Sequence, residues 1–157
     1  KPVKYDKYLL LYSFEKNEVT QKIANSIAKK LGLEVIEIGL LRPYYKSDKY
    51  IHNAGVEDFL SLMYNADFVV TSSFHGTAFS ILLNKQFISV APSVRKTRLE
   101  NIMNLFGISN RLITEQSKYE IDKLIKPIDY TIINELVKKE SDKGKRFLEE
   151  ALDKVNS

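Results

Sequence analysis

The 157-residue sequence contains no cysteine and only two histidines, His52 and His75. Without cysteine the chain can form neither a disulfide nor a thiolate metal cluster, and two isolated histidines are too few for a dedicated zinc site. The sequence therefore predicts that no metal is bound. A reducing compartment is compatible with this composition.

Long apolar runs are also lacking. No stretch approaches the roughly 20 apolar residues needed to cross a bilayer, and the opening "KPVKYDKY" lacks the apolar core of a signal peptide. We expect a soluble chain without a transmembrane segment. Because it begins with lysine rather than methionine, we also expect a processed product or a piece of a longer protein.

The net charge of +4 and the pI near 9.1 do not come from a basic cluster. Lysines are spread along the chain, many on predicted solvent-facing sides of helices such as "QKIANSIAKK" and "LVKKESDKGK". Nucleic-acid binding would require a clustered basic stripe or a recognisable module. We therefore expect no nucleic-acid partner.

Strand and helix patterns alternate along the sequence, which predicts a single α/β domain over residues 1–157. Its 44% hydrophobic and 28% charged content is sufficient for one core. Strands are predicted at 8–14, 33–39, 67–71 and 86–91, with a short edge strand at 110–114. Short crossovers between parallel strands indicate a Rossmann-like, doubly wound sheet with helices on both faces.

Helical patterns separate these strands. Asn17 is predicted to cap the first helix and Gly32 to end it, and Gly107 is predicted to end the helix that follows the fourth strand. The helix that begins at 55 places one apolar set on a single face: Val56, Phe59, Leu60 and Met63.

Two further stretches are less regular. Residues 40–55 show no periodicity, so we interpret them as a loop that is either mobile or involved in binding, with His52 in solvent. The stretch 118–155 predicts helices with ordinary packing faces, including that of Phe147, Leu148 and Leu152.

Ligands bind doubly wound sheets at the carboxyl ends of the strands, and "TSSFHGT" follows the third predicted strand. Gly76 permits a tight bend, and Ser73 or Thr77 can cap the next helix, whose first N–H groups favour an anion. His75 can carry a proton near neutral pH. The segment predicts an anion-binding turn with a proton donor.

A second cationic group follows the fourth strand in "SVRKTR", where Arg95 and Arg98 can each grip a carboxylate or phosphate. The alternatives are structural: a hydrogen-bonded histidine that shapes the turn, and arginines that are surface charges. The nucleophile elbow, the Walker loop and the dinucleotide fingerprint are absent from the sequence.

A resemblance extends this interpretation. The stretch "EDFLSLMYNADFVVTSSFHGTAFSILLNKQF", residues 57–87, resembles the signature of the polysaccharide pyruvyl transferase family. It continues more weakly through "RLENIMNLFGI" with Arg98, "NRLI" with Arg111 and the closing "RFLEEAL". The family often has Asp at the position of Ser72, which puts in question any role here that needs a carboxylate.

The resemblance implies the C-terminal half of a two-domain protein of the glycosyltransferase GT-B type, with the active site between two Rossmann-like halves. It implies transfer of a pyruvyl group from phosphoenolpyruvate to a sugar of a surface or exported polysaccharide as a ketal. His75 would transfer the proton, and no cofactor would be needed beyond this donor substrate. The expected substrate-binding residues are Ser72, Ser73, Gly76, Thr77, Arg95 and Arg98.

The implied partners are phosphoenolpyruvate, a glycan or lipid-linked sugar acceptor and a missing N-terminal domain. The implied location is the cytoplasm, with the inner face of the membrane as a narrower alternative. Two other functions stay open: a GT-B glycosyltransferase half that uses a nucleotide sugar, and a non-enzymatic module that binds a phosphorylated ligand or a glycan.

Overall fold

The computed structural model describes residues 5–92, 94 and 96–156. The strands are β1 (Tyr8–Tyr12), β2 (Glu34–Gly39), β3 (Lys49–His52), β4 (Phe68–Thr71), β5 (Phe87–Val90) and β6 (Leu112–Ile113). The helices are α1 (Glu18–Leu31), α2 (Val56–Asn65), α3 (Phe74–Leu82), α4 (Thr97–Leu105), α5 (Ile121–Leu124) and α6 (Tyr130–Asn156), with a 3-10 turn at Ser109–Arg111.

All six strands form one parallel sheet in the order β3-β2-β1-β4-β5-β6. The predicted α/β class and the Rossmann-like, doubly wound arrangement are confirmed. β4, which leads into the "TSSFHGT" segment, lies inside the sheet between β1 and β5, and its residues are fully buried. Parallel strands covered on both faces are built from continuous apolar runs, as "YLLLY" in β1 is.

Two apolar layers cover the sheet. On one face, α2, α3, α4 and α6 pack against alternate strand residues such as Leu10, Ile36 and Val69. On the other face, α1 and α5 pack against the intervening residues, including Leu9, Leu11 and Val70. Because successive side chains of a strand point to opposite faces of the sheet, the same strands contribute residues to both cores.

The predicted helix ends are confirmed at three positions. The Asn17 side chain accepts hydrogen bonds from the N–H groups of Val19 at 2.8 Å and Thr20 at 3.4 Å, which satisfies donors that the helix itself leaves unpaired. Gly32 and Gly107 follow α1 and α4 with φ of 65° and 67°, the left-handed conformation that glycine adopts without strain.

The interpretation of residues 40–55 as a loop without secondary structure is wrong in part, because Lys49–His52 form edge strand β3. Two carboxylates hold the segment that leads into β3 against β2. Buried Glu37 accepts from the N–H of Tyr44 at 2.7 Å, and Asp48 accepts from the N–H of Val35 at 2.7 Å. His52, at the end of the strand, is exposed as expected.

The C-terminal stretch differs from the prediction as well. Tyr130 and Ile133 near the start of α6 are buried, whereas every residue from 141 to 154 is exposed. Phe147, Leu148 and Leu152 therefore form an uncovered apolar stripe in the part of the chain that the structure describes. The helical periodicity was sufficient to predict the helix. Whether another element covers its apolar face depends on residues distant in sequence, which the periodicity does not specify.

Within the described ranges, no helix is both long and apolar enough to cross a membrane.

The opposite placements of two leucines give a test of this architecture. Leu10 is 0% exposed in the core, and Leu152 is 61% exposed on α6. Leu10→Ala should lower the free energy of unfolding by about 2–5 kcal/mol through loss of packing and the resulting cavity. Leu152→Ala should change it by no more than about 0.5 kcal/mol. Urea denaturation measures both, and a large loss for Leu152→Ala would mean that the stripe is covered in the folded protein.

Candidate functional site

The candidate site lies at the point where the strand order reverses. From β1 the chain proceeds to β2 on one side, whereas β4 is the neighbour of β1 on the other side. The carboxyl ends of these two parallel strands meet at one edge, where Tyr12 pairs in register with Thr71. A crevice at such a switch point is where open α/β sheets bind ligands.

Hydroxyl groups hold the turn between β4 and α3. Thr71 Oγ1 donates to the Tyr12 carbonyl oxygen at 2.6 Å and accepts from the N–H of Ser73 at 3.0 Å. Ser73 caps α3, since its Oγ accepts from the N–H of Gly76 at 3.3 Å. Thr77 Oγ1 donates to the Ser73 carbonyl oxygen at 3.0 Å. The start of α3 is therefore fixed rigidly to the ends of β4 and β1.

Gly76 is required here by close packing rather than by a left-handed backbone. A Cβ atom at this position would lie inside the van der Waals radius of Thr71 Oγ1 and only 2.9 Å from Tyr12 Cδ1. The sequence predicted that glycine would let the chain bend. The structure instead places Gly76 in the first turn of α3, where the missing side chain lets the helix touch two strands.

His75 is the second residue of α3, and its side chain is exposed. Its imidazole makes no hydrogen bond to any residue in the described ranges, and its recorded contact is edge-to-face with Phe74 at 6.0 Å between ring centroids. Within the described ranges, the hydrogen bonds that the structural alternative for His75 requires are not present. An accessible, unbonded imidazole can exchange a proton with a ligand.

Ser72 belongs to a network that joins three segments. Ser72 Oγ lies 2.7 Å from Ser13 Oγ, and the Tyr45 hydroxyl donates to Ser13 Oγ at 3.1 Å. The same hydroxyl also contacts the Glu15 carbonyl oxygen. Burial raises the pKa of the Tyr45 phenol, so it remains a neutral donor around pH 7. The loop after β2 is thereby linked to the turn after β4.

Arg98, in the first turn of α4, stacks on the ring of Phe74 with 4.3 Å between Cζ and the ring centroid. It forms no ion pair with any described residue, whereas the neighbouring Lys96 pairs with Glu100 at 3.6 Å. Stacking orients the guanidinium and leaves its N–H groups available for an anion. Arg95, the other predicted arginine, lies outside the described residues.

Two cavities open at this edge of the sheet. The polar cavity, about 430 Å³, is lined by Ser72, Arg98, Glu15 and neighbouring apolar residues. The apolar cavity, about 300 Å³, is lined by His75 together with aromatic and aliphatic side chains from β1, α2 and α3. Phe14 lines both cavities and so forms part of the wall between them.

The predicted residues thus fall into three groups. Ser72 and Arg98 share the polar cavity, and His75 faces the apolar one. Ser73, Gly76 and Thr77 are buried within the turn, and the N–H groups of Gly76 and Thr77 already bond to Ser73. Their contact with a substrate stays a prediction, and their observed role is to build the turn. The N–H groups of Phe74 and His75 come before the first intrahelical bonds and can serve an anion.

Several lining residues were not predicted. Phe14 was predicted to be the last residue of the first strand, yet it lies beyond β1 and is 46% exposed between the cavities. Glu15 follows the predicted strand 8–14, and the structure places it in one cavity with Arg98 and Ser72. Val56 and Leu60, predicted to pack inward, are exposed at the apolar cavity, whereas Met63 is buried. The sequence signal that could have identified these residues is their position close after the carboxyl ends of strands, where ligands bind such sheets.

This geometry can be compared with known proteins. A model of the polysaccharide pyruvyl transferase family matches residues 1–94 of the 157 in the chain. The chain belongs to this family. The match includes β1 to β5 and the whole "TSSFHGT" segment. No curated protein matches the sequence.

The remainder of the polysaccharide pyruvyl transferase resemblance, from Arg98 onward, falls outside the matched range and stays a prediction. Arg111 has a structural position, because it is buried and donates to the carbonyl oxygens of Leu124, at 2.5 Å, and Lys126. Among the described residues, no group of three or more His, Cys, Asp or Glu side chains is placed to hold a metal ion.

The close contact at Gly76 leads to a stability prediction. Gly76→Ala should destabilise the fold by about 1–3 kcal/mol, because the added methyl group must displace Thr71 or Tyr12. Gly144→Ala is the matched control, since a Cβ there meets no atom within 4 Å on exposed α6 and should stabilise by up to about 1 kcal/mol. Thermal unfolding followed by circular dichroism compares the two. Equal effects would contradict the packing role of Gly76.

Proposed function

We propose that this chain is the donor-binding half of an enzyme that transfers the pyruvyl group of phosphoenolpyruvate to a sugar of a surface or exported polysaccharide, as a ketal. Membership of the polysaccharide pyruvyl transferase family supports the reaction class. The observation that carries the proposal is a pair of side chains at two helix starts that form no ion pair or hydrogen bond with the described residues. They are the Arg98 guanidinium in the first turn of α4, which stacks on Phe74, and the exposed His75 imidazole in the first turn of α3.

The donor carries two anionic groups, a carboxylate and a phosphate. In the polar cavity Arg98 has no acidic partner among the described residues, and the N-terminus of α3 lies beside it through Phe74. Guanidinium N–H groups and helix N-termini both bind such oxyanions. Glu15 lines the same cavity and repels anions, so we place the donor on the Arg98 and Phe74 side.

The reaction requires both acid and base. His75 gives a proton to the methylene carbon of the enol, which becomes the methyl group and leaves a cationic centre at the next carbon. One sugar hydroxyl adds to this carbon and a second displaces phosphate. Of the two hydroxyl protons, one restores the proton that His75 gave and the other leaves with the phosphate, so that a cyclic ketal and inorganic phosphate result. Glu15 is the carboxylate in the cavity that can accept a hydroxyl proton.

We also propose that the chain is the C-terminal half of a two-domain protein and works in the cytoplasm, where phosphoenolpyruvate is available. Both cavities lie open along one edge of the sheet, so a second half is needed to close a cleft over them. Positioning of donor and acceptor demands both walls. The 157-residue chain by itself should therefore bind the donor weakly and show no turnover.

Donor affinity gives the first test. Arg98→Ala in the 157-residue chain should weaken phosphoenolpyruvate binding about tenfold, near the low end of the range for charged hydrogen bonds because Arg98 is exposed. Glu15→Gln removes a repelling charge from the same cavity and should tighten binding about twofold to fivefold. Titration calorimetry at low and high salt measures both. Identical effects of the two variants would place the donor elsewhere.

Turnover gives the second test, in the two-domain protein that contains this chain. His75→Asn should lower pyruvyl transfer by at least about a hundredfold, the usual contribution of a general acid, without weakening donor binding. Phosphate release with a sugar acceptor measures transfer, and calorimetry measures binding. Near-normal turnover would show that His75 is not the proton donor. Transfer from a nucleotide sugar in place of phosphoenolpyruvate would favour the glycosyltransferase alternative.

A further inference from the structure

The apolar cavity beside His75 has an aromatic wall. Tyr12 packs on Phe14 and on Phe59, each at 4.9 Å between ring centroids, and Phe59 packs on Phe79 at 5.6 Å. All four rings line a volume of about 300 Å³. Such a volume lies at the lower end of the range for small-molecule sites.

Among the described residues that line this cavity there is no Asp, Glu, Lys or Arg. It therefore differs from the polar cavity, where Arg98 and Glu15 supply charge. Apart from His75, the described lining offers a charged ligand no ionic partner in return for the water that it loses on entry. The cavity therefore favours an uncharged occupant, and the polar cavity on the other side of Phe14 suits the anionic donor better.

Two polar groups nevertheless belong to the lining. The half-buried Tyr12 phenol forms no hydrogen bond with any described residue, and neither does the His75 imidazole. Burial raises the pKa of Tyr12, so the phenol is a neutral donor. A pure hydrocarbon in the cavity would offer no hydrogen-bond partner to either group. A ligand with an apolar face and hydroxyl groups can pack against the aromatic rings and also form hydrogen bonds with the phenol and the imidazole.

We propose that the apolar cavity is a subsite for an uncharged sugar ring, which stacks on the aromatic wall and shares hydroxyl hydrogen bonds with Tyr12 and His75. The proposal rests on the proposed function, in which the sugar is the acceptor. Phe14 contributes to both cavities, so a sugar on one side and the anionic donor on the other would meet beside His75.

Binding of simple probes tests the subsite. We expect methyl β-D-glucopyranoside or methyl β-D-galactopyranoside, added to the isotope-labelled chain, to shift the backbone amide signals of Gly39, Ala54 and Gly55, which line the cavity. Saturation is expected at millimolar concentration, as for a weak single-ring ligand. Phosphoenolpyruvate should leave these signals in place. Octanol that shifts them when neither glycoside does would identify a hydrocarbon site and overturn the proposal.

Variants make the test specific. Tyr12→Phe keeps the ring and removes the hydroxyl, and it should weaken glycoside binding about fivefold or more. Leu60→Trp should fill the cavity and abolish binding, whereas Tyr64→Trp, one turn further along α2 and outside the lining, should leave binding unchanged. If Leu60→Trp does not fold, Val56→Trp fills the same cavity from a 77% exposed position. Unaltered binding in the filled variants would refute the subsite.

The two hypotheses fail separately. If a glycoside shifts the amide signals at the cavity but phosphoenolpyruvate does not bind to the chain, the proposed reaction is contradicted and the sugar subsite is supported. Donor binding that depends on Arg98, together with no glycoside shift, would support the donor site and overturn the subsite.

Discussion

The first turn of α3 packs directly against the ends of β1 and β4, and the candidate site depends on this contact. It is possible because Gly76 has no side chain where Thr71 and Tyr12 approach the helix. Ser73 and Thr71 then fix the helix start with hydrogen bonds. His75 is consequently held on a rigid element, with its imidazole outside the turn's own hydrogen bonds.

Beside this contact, Phe14 separates two chemically different cavities. On one side of Phe14, Arg98 lies stacked and without an acidic partner among the described residues. On the other side, aromatic rings and His75 line a cavity whose described residues include no Asp, Glu, Lys or Arg. A transferase that joins an anionic donor to a neutral sugar needs both environments close together, because a single cavity suits only one of them. This division is the structural basis for the proposed roles of the two cavities.

Some of this arrangement could be predicted from local sequence. The predicted cap at Asn17, the helix ends at Gly32 and Gly107 and the strand that leads into "TSSFHGT" all agree with the structure. Strand β3 could not be predicted, because its polar residues pair with β2 through backbone groups, which the side-chain pattern does not encode. Glu37 in β2 and Asp48 just before β3 hold the connecting segment through hydrogen bonds to Tyr44 and Val35. The exposure of Phe147 likewise depends on what lies beside α6, and helical spacing does not encode that.

The sequence by itself determined the fold class, the helix ends and the family resemblance of the segment around His75, because periodicity, capping and motif order are local properties. Tertiary structure alone decided that His75 has no hydrogen-bond partner among the described residues, and that it faces a different cavity from Arg98. It also decided that Ser73, Gly76 and Thr77 are buried. The physical reason is that exposure and hydrogen-bond partners depend on contacts between residues distant in sequence, which adjacent residues do not specify.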